Sequence, residues 1–245
     1  MKNSNFQKRF YRNWIVAKDL YLTHFREKET DLQILTNKKL DKEFIKERIN
    51  LYRWDIENYI NKERKFLTTL KPLEVELNAP QIVKEMARQS KKANVGPMAT
   101  VAGAVAEFLG QDLLNEGYKD VIIENGGDIF IKTRKVRTVG IYSGKSKLWQ
   151  GLKFKIKPKD TPLGICTSSG IIGHSLSFGY AECVSIVSKN TALADATATA
   201  VGNRIKSKQD LQLAVDFAKS IKGILGVLII LKNNLITWGN IQFVK

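Results

Sequence analysis

Val121-Ile122-Ile123-Glu124-Asn125-Gly126-Gly127-Asp128-Ile129-Phe130-Ile131 sets two apolar, β-branched runs on either side of a paired-glycine turn. Gly-Gly between strand-like runs is a hairpin signal, because both central residues of the tightest turns need positive φ. Strands are therefore expected at 119–124 and 128–133. The same glycines let backbone N–H groups face an anion or a planar ligand with no Cβ in the way. The turn reads both as a ligand contact and as plain architecture.

Working outward, further strands are predicted at 136–142, 152–157, 162–167 and 180–188. A closing hairpin pairs Gly223–Leu231 with Leu235–Val244 around Asn233-Asn234. Residues 10–36 alternate and are rich in aromatic and β-branched types, which predicts two or three antiparallel strands. Phe44, Ile45, Ile49, Leu51, Tyr52, Ile56, Tyr59 and Ile60 recur near helical spacing and predict a helix of about 25 residues from Asp41. Helices are also predicted from Pro80 to Lys92, from Met98 to Asn115, around Asp195, and over 210–222. The Met98 helix is rich in Ala and Gly, so it can pack closely on a neighbour. Helices and strands do not alternate strictly, so the expected class is α+β, with largely antiparallel sheets and packed helices in two interlocked subdomains. One domain over 1–245 is expected, the strands and long helix of 1–70 packing on a core of 71–245.

Hydrophobic residues make up 43% of the 245, enough for a core. The formal charge of +16 is uneven: 131–160 hold ten Lys/Arg against one acidic residue. Clustered cations invite a nucleic-acid reading. Lys153-Phe154-Lys155-Ile156-Lys157 alternates, however, as a half-buried strand with a wet lysine face does, and no nucleic-acid-binding motif accompanies it. The longest apolar run, Ile224 to Leu231, is too short for a membrane span. The start has no apolar signal-peptide core, and Cys166 and Cys183 form no metal or disulfide pattern. A cytoplasmic, reduced protein is expected, with no membrane or nucleic-acid partner and with homo-oligomerisation left open.

A second informative stretch is Ala194-Asp195-Ala196-Thr197-Ala198-Thr199-Ala200. On a helix, Asp195 and Thr199 lie four residues apart on one face and can grip one hard cation. The bland alternative is a helix-embedded acid bonded to nearby backbone. A Gly-rich turn with a carboxylate/hydroxyl pair is what a bound diphosphate and its magnesium need.

Asn125-Gly126-Gly127-Asp128-Ile129 followed by Ala194-Asp195-Ala196-x-Ala198-Thr199-Ala200 resembles the ApbE superfamily, whose characterised members are FAD:protein FMN transferases. Phe10-Tyr11-Arg12, Lys28-Glu29-Thr30-Asp31-Leu32, Val95-Gly96-Pro97-Met98-Ala99, Cys166-Thr167-Ser168-Ser169-Gly170 and Gly173-His174-Ser175-Leu176-Ser177-Phe178-Gly179 resemble its cytoplasmic, uncharacterised UPF branch. The resemblance implies Mg2+ at Asp195 and Thr199, with a backbone carbonyl near Pro97 or Met98 as a further ligand. It implies FAD or FMN contacts at Asn125, Gly126, Gly127 and Asp128 and at Ser168, Ser169 and Gly170, with His174 as the family's catalytic histidine. The implied reaction is attack of an acceptor protein's threonine on the FMN phosphorus of FAD, releasing AMP. The branch also implies a setting in anaerobic sulfide assimilation and homocysteine formation.

Two departures stand out. Thr100-Val101 replaces the transferases' Lys-Gly pair, and Ser175-Leu176-Ser177-Phe178 follows His174 where they have x-x-Asp-Pro. His174 thus reads as catalytic base, flavin contact or satisfied side chain. Other classes stay open: a non-catalytic flavin-binding accessory protein, or a Cys166 thiol nucleophile or sulfur carrier.

Overall fold

A computed structural model describes residues 17–141, 147–169, 179–239 and 241–244. Along the chain come β1 (Tyr21–Glu27), β2 (Thr30–Thr36), α1 (Lys42–Lys62), the one-turn α2 (Lys65–Thr68), α3 (Gln81–Ala93), a 3-10 turn at Pro97–Thr100 and α4 (Val101–Asn115). Then follow β3 (Val121–Asn125), β4 (Asp128–Lys132), β5 (Arg137–Gly140), β6 (Lys153–Ile156), β7 (Leu163–Ser168), β8 (Cys183–Ser188) and α5 (Thr191–Arg204). The last elements are α6 (Asp210–Ser220), β9 (Ile224–Leu231), β10 (Asn234–Gly239) and β11 (Phe243–Val244).

Eight strands form one sheet in the order β1-β2-β3-β4-β7-β8-β9-β10, every neighbouring pair antiparallel. This is the α+β class expected. A second sheet, β11-β6-β5, covers one face of the first. The helices cover the other. Side chains alternate between the two layers as the pleat requires. Ile123 and Phe130 pack under α1, α3 and α4, while Ile122, Ile129 and Ile131 meet Val139, Phe154 and Ile156 of the small sheet. Burial on both faces is why β3 and β8 are buried at every position instead of alternating.

Local signals set the helix ends. Asp41 caps α1, accepting from the N–H groups of Glu43 at 3.0 Å and Phe44 at 3.2 Å. Its apolar stripe, Ile45, Ile49, Tyr52, Ile56 and Tyr59, is the buried face. The helix predicted from Met98 begins instead with a 3-10 turn, Pro97 occupying its first position. The predicted closing hairpin needs a larger correction. Only its first half pairs with β9; the chain leaves the large sheet at Gly239, φ 94°, and β11 pairs with β6. Of the strands predicted over 10–36, β1 and β2 are present and Phe10–Val16 lies outside the described residues.

The cationic segment is partly accounted for by this architecture. Asp120, just before β3, accepts from the Arg134 N–H at 2.7 Å, the Arg134 Nε at 2.8 Å and the Thr133 hydroxyl at 3.2 Å. Arg137, itself buried, makes a two-pronged pair with Asp19, which also takes Lys135. These bonds tie the β4–β5 crossover down. Burial disfavours the Asp120 carboxylate, but the Arg134 N–H and guanidinium outweigh it and hold its pKa below the usual carboxylate range. Asp120→Ala should therefore cost on the order of 2 kcal/mol at pH 7 by removing the charge-assisted bonds from Arg134 and the bond from the Thr133 hydroxyl. The Asp120 contribution is present above pH 4 and is lost as pH falls further, so the gap between the proteins should narrow in acid. Urea melts at pH 7 and pH 3 check it; an unchanged gap contradicts the assignment.

Candidate functional site

Helices α4 and α5 run antiparallel and cap each other. A helix's first turn leaves N–H groups without partners. On α4 the Gly103 N–H is met by Asp195 Oδ2 of α5 at 2.9 Å. On α5 the Thr191 N–H is met by Glu107 Oε2 of α4 at 2.7 Å, and the Thr191 hydroxyl reaches the same oxygen at 2.5 Å. Asn190 adds the usual cap, its Oδ1 accepting from Leu193 N–H at 2.8 Å. The approach is close: a Cβ on Gly103 would lie 2.6 Å from the Thr191 carbonyl oxygen, and one on Gly164 of β7 only 2.4 Å from Thr191 Cα.

Locked this way, α5 is buried along its length except at Asp195, Thr199 and Asn203 and at the exposed terminal Arg204. Spacing of four puts these three polar residues in one slowly winding stripe, continuing the line from Thr191. A helix buried elsewhere thus has one open, polar strip.

The β3–β4 turn lies beside this stripe. Gly126 and Gly127 have φ of 68° and 104°, the pair of positive values a two-residue hairpin needs. A Cβ on Gly126 would meet nothing within 4 Å. Architecture therefore explains the glycines, and the turn's outer surface is open for a ligand. Glu124 Oε1 accepts the Gly127 N–H at 2.9 Å, and Asn125 Nδ2 donates to the Ala102 carbonyl, in the first turn of α4, at 3.1 Å.

Register then places Asp128 opposite Cys166 of β7. Burial pushes the Asp128 carboxyl up to about 7, helped by the Glu124 charge and opposed by donors from Cys166 and the Thr167 N–H. Asp195 is raised well above the carboxylate range by burial and then by the charge of Asp128, with the Gly103 N–H opposing. The two carboxyl groups feel each other, and no cation among the described residues contributes to either shift. Cys166 is fully buried, its thiol donating to the Thr191 carbonyl at 3.3 Å, and burial followed by both carboxylates pushes its pKa well up. That is the opposite of what an activated nucleophile needs.

These facts place the residues singled out in the sequence. Asn125, Gly126, Gly127 and Asp128, half-buried Ser168 and Ser169 at the end of β7, and Asp195 and Thr199 on α5 all belong to elements that pack together. Gly170 and His174 lie outside the described residues. Asp195 is half-buried, and one of its oxygens accepts from the α4 backbone, as the bland reading expects. Glu107 escaped sequence reasoning, since a lone Glu in an Ala/Gly-rich helix gives no capping signal. Asn203 could have been found by extending the spacing of four.

The donors are all hard oxygens, which suits Mg2+ or Ca2+ over softer ions. Among the described residues no three His, Cys, Asp or Glu side chains converge on one point. A cation here would need Asp195 Oδ1, the Thr199 hydroxyl, backbone carbonyls and oxygens of a ligand. Mg2+ characteristically binds in that manner, through one or two carboxylates plus substrate phosphates.

An antiparallel sheet with helices on one face, a small sheet on the other and this turn beside α5 is the fold of the ApbE flavin transferases. The solved flavin transferase ApbE from Vibrio cholerae matches it with a TM-score of 0.59 over 89% of this chain and 97% of that one, at 14% identity. At that identity the likeness establishes the fold. A family model described as AbpE bacteria matches residues 12–233, and the chain belongs to that family. It is 36% identical to a UPF0280 protein of Methanosarcina acetivorans over 219 residues, covering 89% of this chain and 86% of the relative. It is 39% identical to a UPF0280 protein of Methanocaldococcus jannaschii over 213 residues, covering 85% and 86%.

The carboxyl pair has a consequence for stability. A group that holds its proton more tightly when folded favours the folded state most at low pH, and that contribution is lost as pH rises through its folded pKa. For Asp128 the loss should run from about pH 4 to about pH 7. Asp128→Asn should remove most of this decline and leave the metal-free protein more stable at pH 8 by about 2–4 kcal/mol. Urea melts across pH 5–8 in chelator check this; parallel curves for the two proteins contradict it.

Proposed function

We propose that the protein binds FAD, or FMN, together with Mg2+, at the open stripe of α5 and the β3–β4 turn. The observation that carries this reading is the stripe itself, Asp195 and Thr199 along the open strip of an otherwise buried helix, with the buried carboxyl of Asp128 on β4 near enough for its charge to raise the Asp195 pKa. The V. cholerae structure of the same fold is named as a flavin transferase, which supports a flavin as the nucleotide. Asp195 and Thr199 would hold the cation, with Asp128 close enough to share its charge. The bound ion supplies neutralisation of the diphosphate.

The chain's own residues account for the rest. Gly126 presents an open backbone surface to the ligand, and Asn125, its Nδ2 committed to Ala102, offers its Oδ1 as acceptor. Ser168, the last residue of β7, and Ser169 just after it would border the site. In the reaction proposed, a hydroxyl of an acceptor protein forms a bond to the FMN phosphorus as the diphosphate P–O bond breaks. AMP leaves with the electron pair, and the hydroxyl proton passes to His174. With water as acceptor the same step cleaves FAD to FMN and AMP.

A second reading, a flavin-binding accessory protein without transfer, is favoured by Thr100-Val101 and Ser175-Leu176-Ser177-Phe178, the positions that depart from the transferases. Incubation with FAD and Mg2+ separates the two, since only the first releases AMP.

Asp195→Asn tests the shared site. The amide keeps an acceptor for the Gly103 N–H, so the fold should hold, while Mg2+-dependent FAD affinity should fall about tenfold or more, roughly 1.4 kcal/mol. Calorimetric titration of FAD with and without Mg2+ reads this out. Equal Mg2+-dependent affinity in both proteins would remove the metal from this site.

A further inference from the structure

We infer that Glu107, a buried carboxylate on α4 that touches neither turn nor stripe, is the positioning residue that sets the rotation of α5 and so aims Asp195 and Thr199 into the site. Its Oε2 receives both the N–H and the hydroxyl of Thr191 at 2.7 and 2.5 Å. Thr191, Asp195 and Thr199 follow one another at four-residue spacing, so they lie along one line of the helix. Holding Thr191 by its side chain as well as its backbone therefore fixes the azimuth of that line. The surroundings leave little freedom elsewhere: Thr191 O accepts the Cys166 thiol at 3.3 Å, and the absence of Cβ atoms at Gly103 and Gly164 brings α4 and β7 onto Thr191 from two directions. Removal of Glu107 leaves two donors at the start of α5 without an acceptor. The helix can regain one only by turning or shifting toward another acceptor.

This inference rests on the proposed reading only for its functional consequence, so the test has a ligand-free arm. Thr199 is on the open stripe, whereas Thr197, on the same helix, is fully buried. Thr199→Cys should react with a thiol reagent much faster than Thr197→Cys, since native Cys166 and Cys183 are buried. Adding Glu107→Leu should lower that ratio of rates by about threefold or more. Glu107→Gln, which keeps an acceptor for Thr191, should restore it. Leu109→Ala, a buried change facing the other side of α4, should lower the melting temperature without moving the ratio. If Glu107→Leu fails to fold, Thr191→Ala removes the hydroxyl alone and should lower the ratio by a smaller factor.

A ratio unchanged in folded Glu107→Leu, or lowered equally by Leu109→Ala, overturns the assignment. In the functional arm, the Mg2+ concentration for half-maximal FAD binding should rise about tenfold in Glu107→Leu and stay near wild type in Glu107→Gln. A wild-type protein with no Mg2+-dependent FAD binding, but with the labelling ratio falling as expected, would refute the proposed function while upholding the role of Glu107.

Discussion

Two acidic side chains, each reaching into the first turn of the other's helix, hold α4 against α5, and the rest of the site depends on that exchange. Hydrogen bonds to otherwise unpaired N–H groups contribute about 0.5–1.5 kcal/mol each. Their larger effect is geometric. Asp195 to Gly103 and Glu107 to Thr191 form two points of attachment one helical turn apart, so neither helix can slide or roll without losing both. The small residues between them make the approach close enough for side chains as short as Asp to bridge.

From that constraint the chemistry follows in order. A helix packed on α3, α4 and the large sheet has one strip left open, and that strip is polar. The sheet delivers a second carboxyl, because the pairing of Asp128 with Cys166 sets the β3–β4 turn at the end of β7, where α5 passes. Two acids brought together in partial burial must take up a proton or a cation. Cys166, fully buried and facing both acids' charge, is held as a neutral thiol, with the Thr191 carbonyl and Asp128 both within its reach.

Much of the fold was legible because its signals are local. The hairpin at Gly126-Gly127, the Asp41 cap and the apolar stripe of α1 each depend on residues a few positions apart. The destination of the last strand was not, because a run such as Leu235–Val244 carries no mark of which sheet takes each half. At the site, Asp195 and Thr199 were visible as a spacing on one helix. Glu107 was invisible, since its partner is 84 residues away and only the tertiary packing joins them. The cap that Asp195 gives to α4 has no sequence counterpart either, since Gly103 lies 92 residues away. Part of the cationic segment, too, is explained by partners distant in sequence, with Asp19 more than a hundred residues from Arg137.

The central claim is that a divalent cation sits on the open stripe of α5 and meets the diphosphate of FAD there. Crystals grown with FAD and Mn2+ in place of Mg2+ test it most directly, through the anomalous signal of the metal. The account predicts a peak within coordination distance of Asp195 Oδ1, the Thr199 hydroxyl and the phosphate oxygens, lost in Asp195→Asn. A peak elsewhere on the protein, or FAD bound with its diphosphate away from α5, would contradict it.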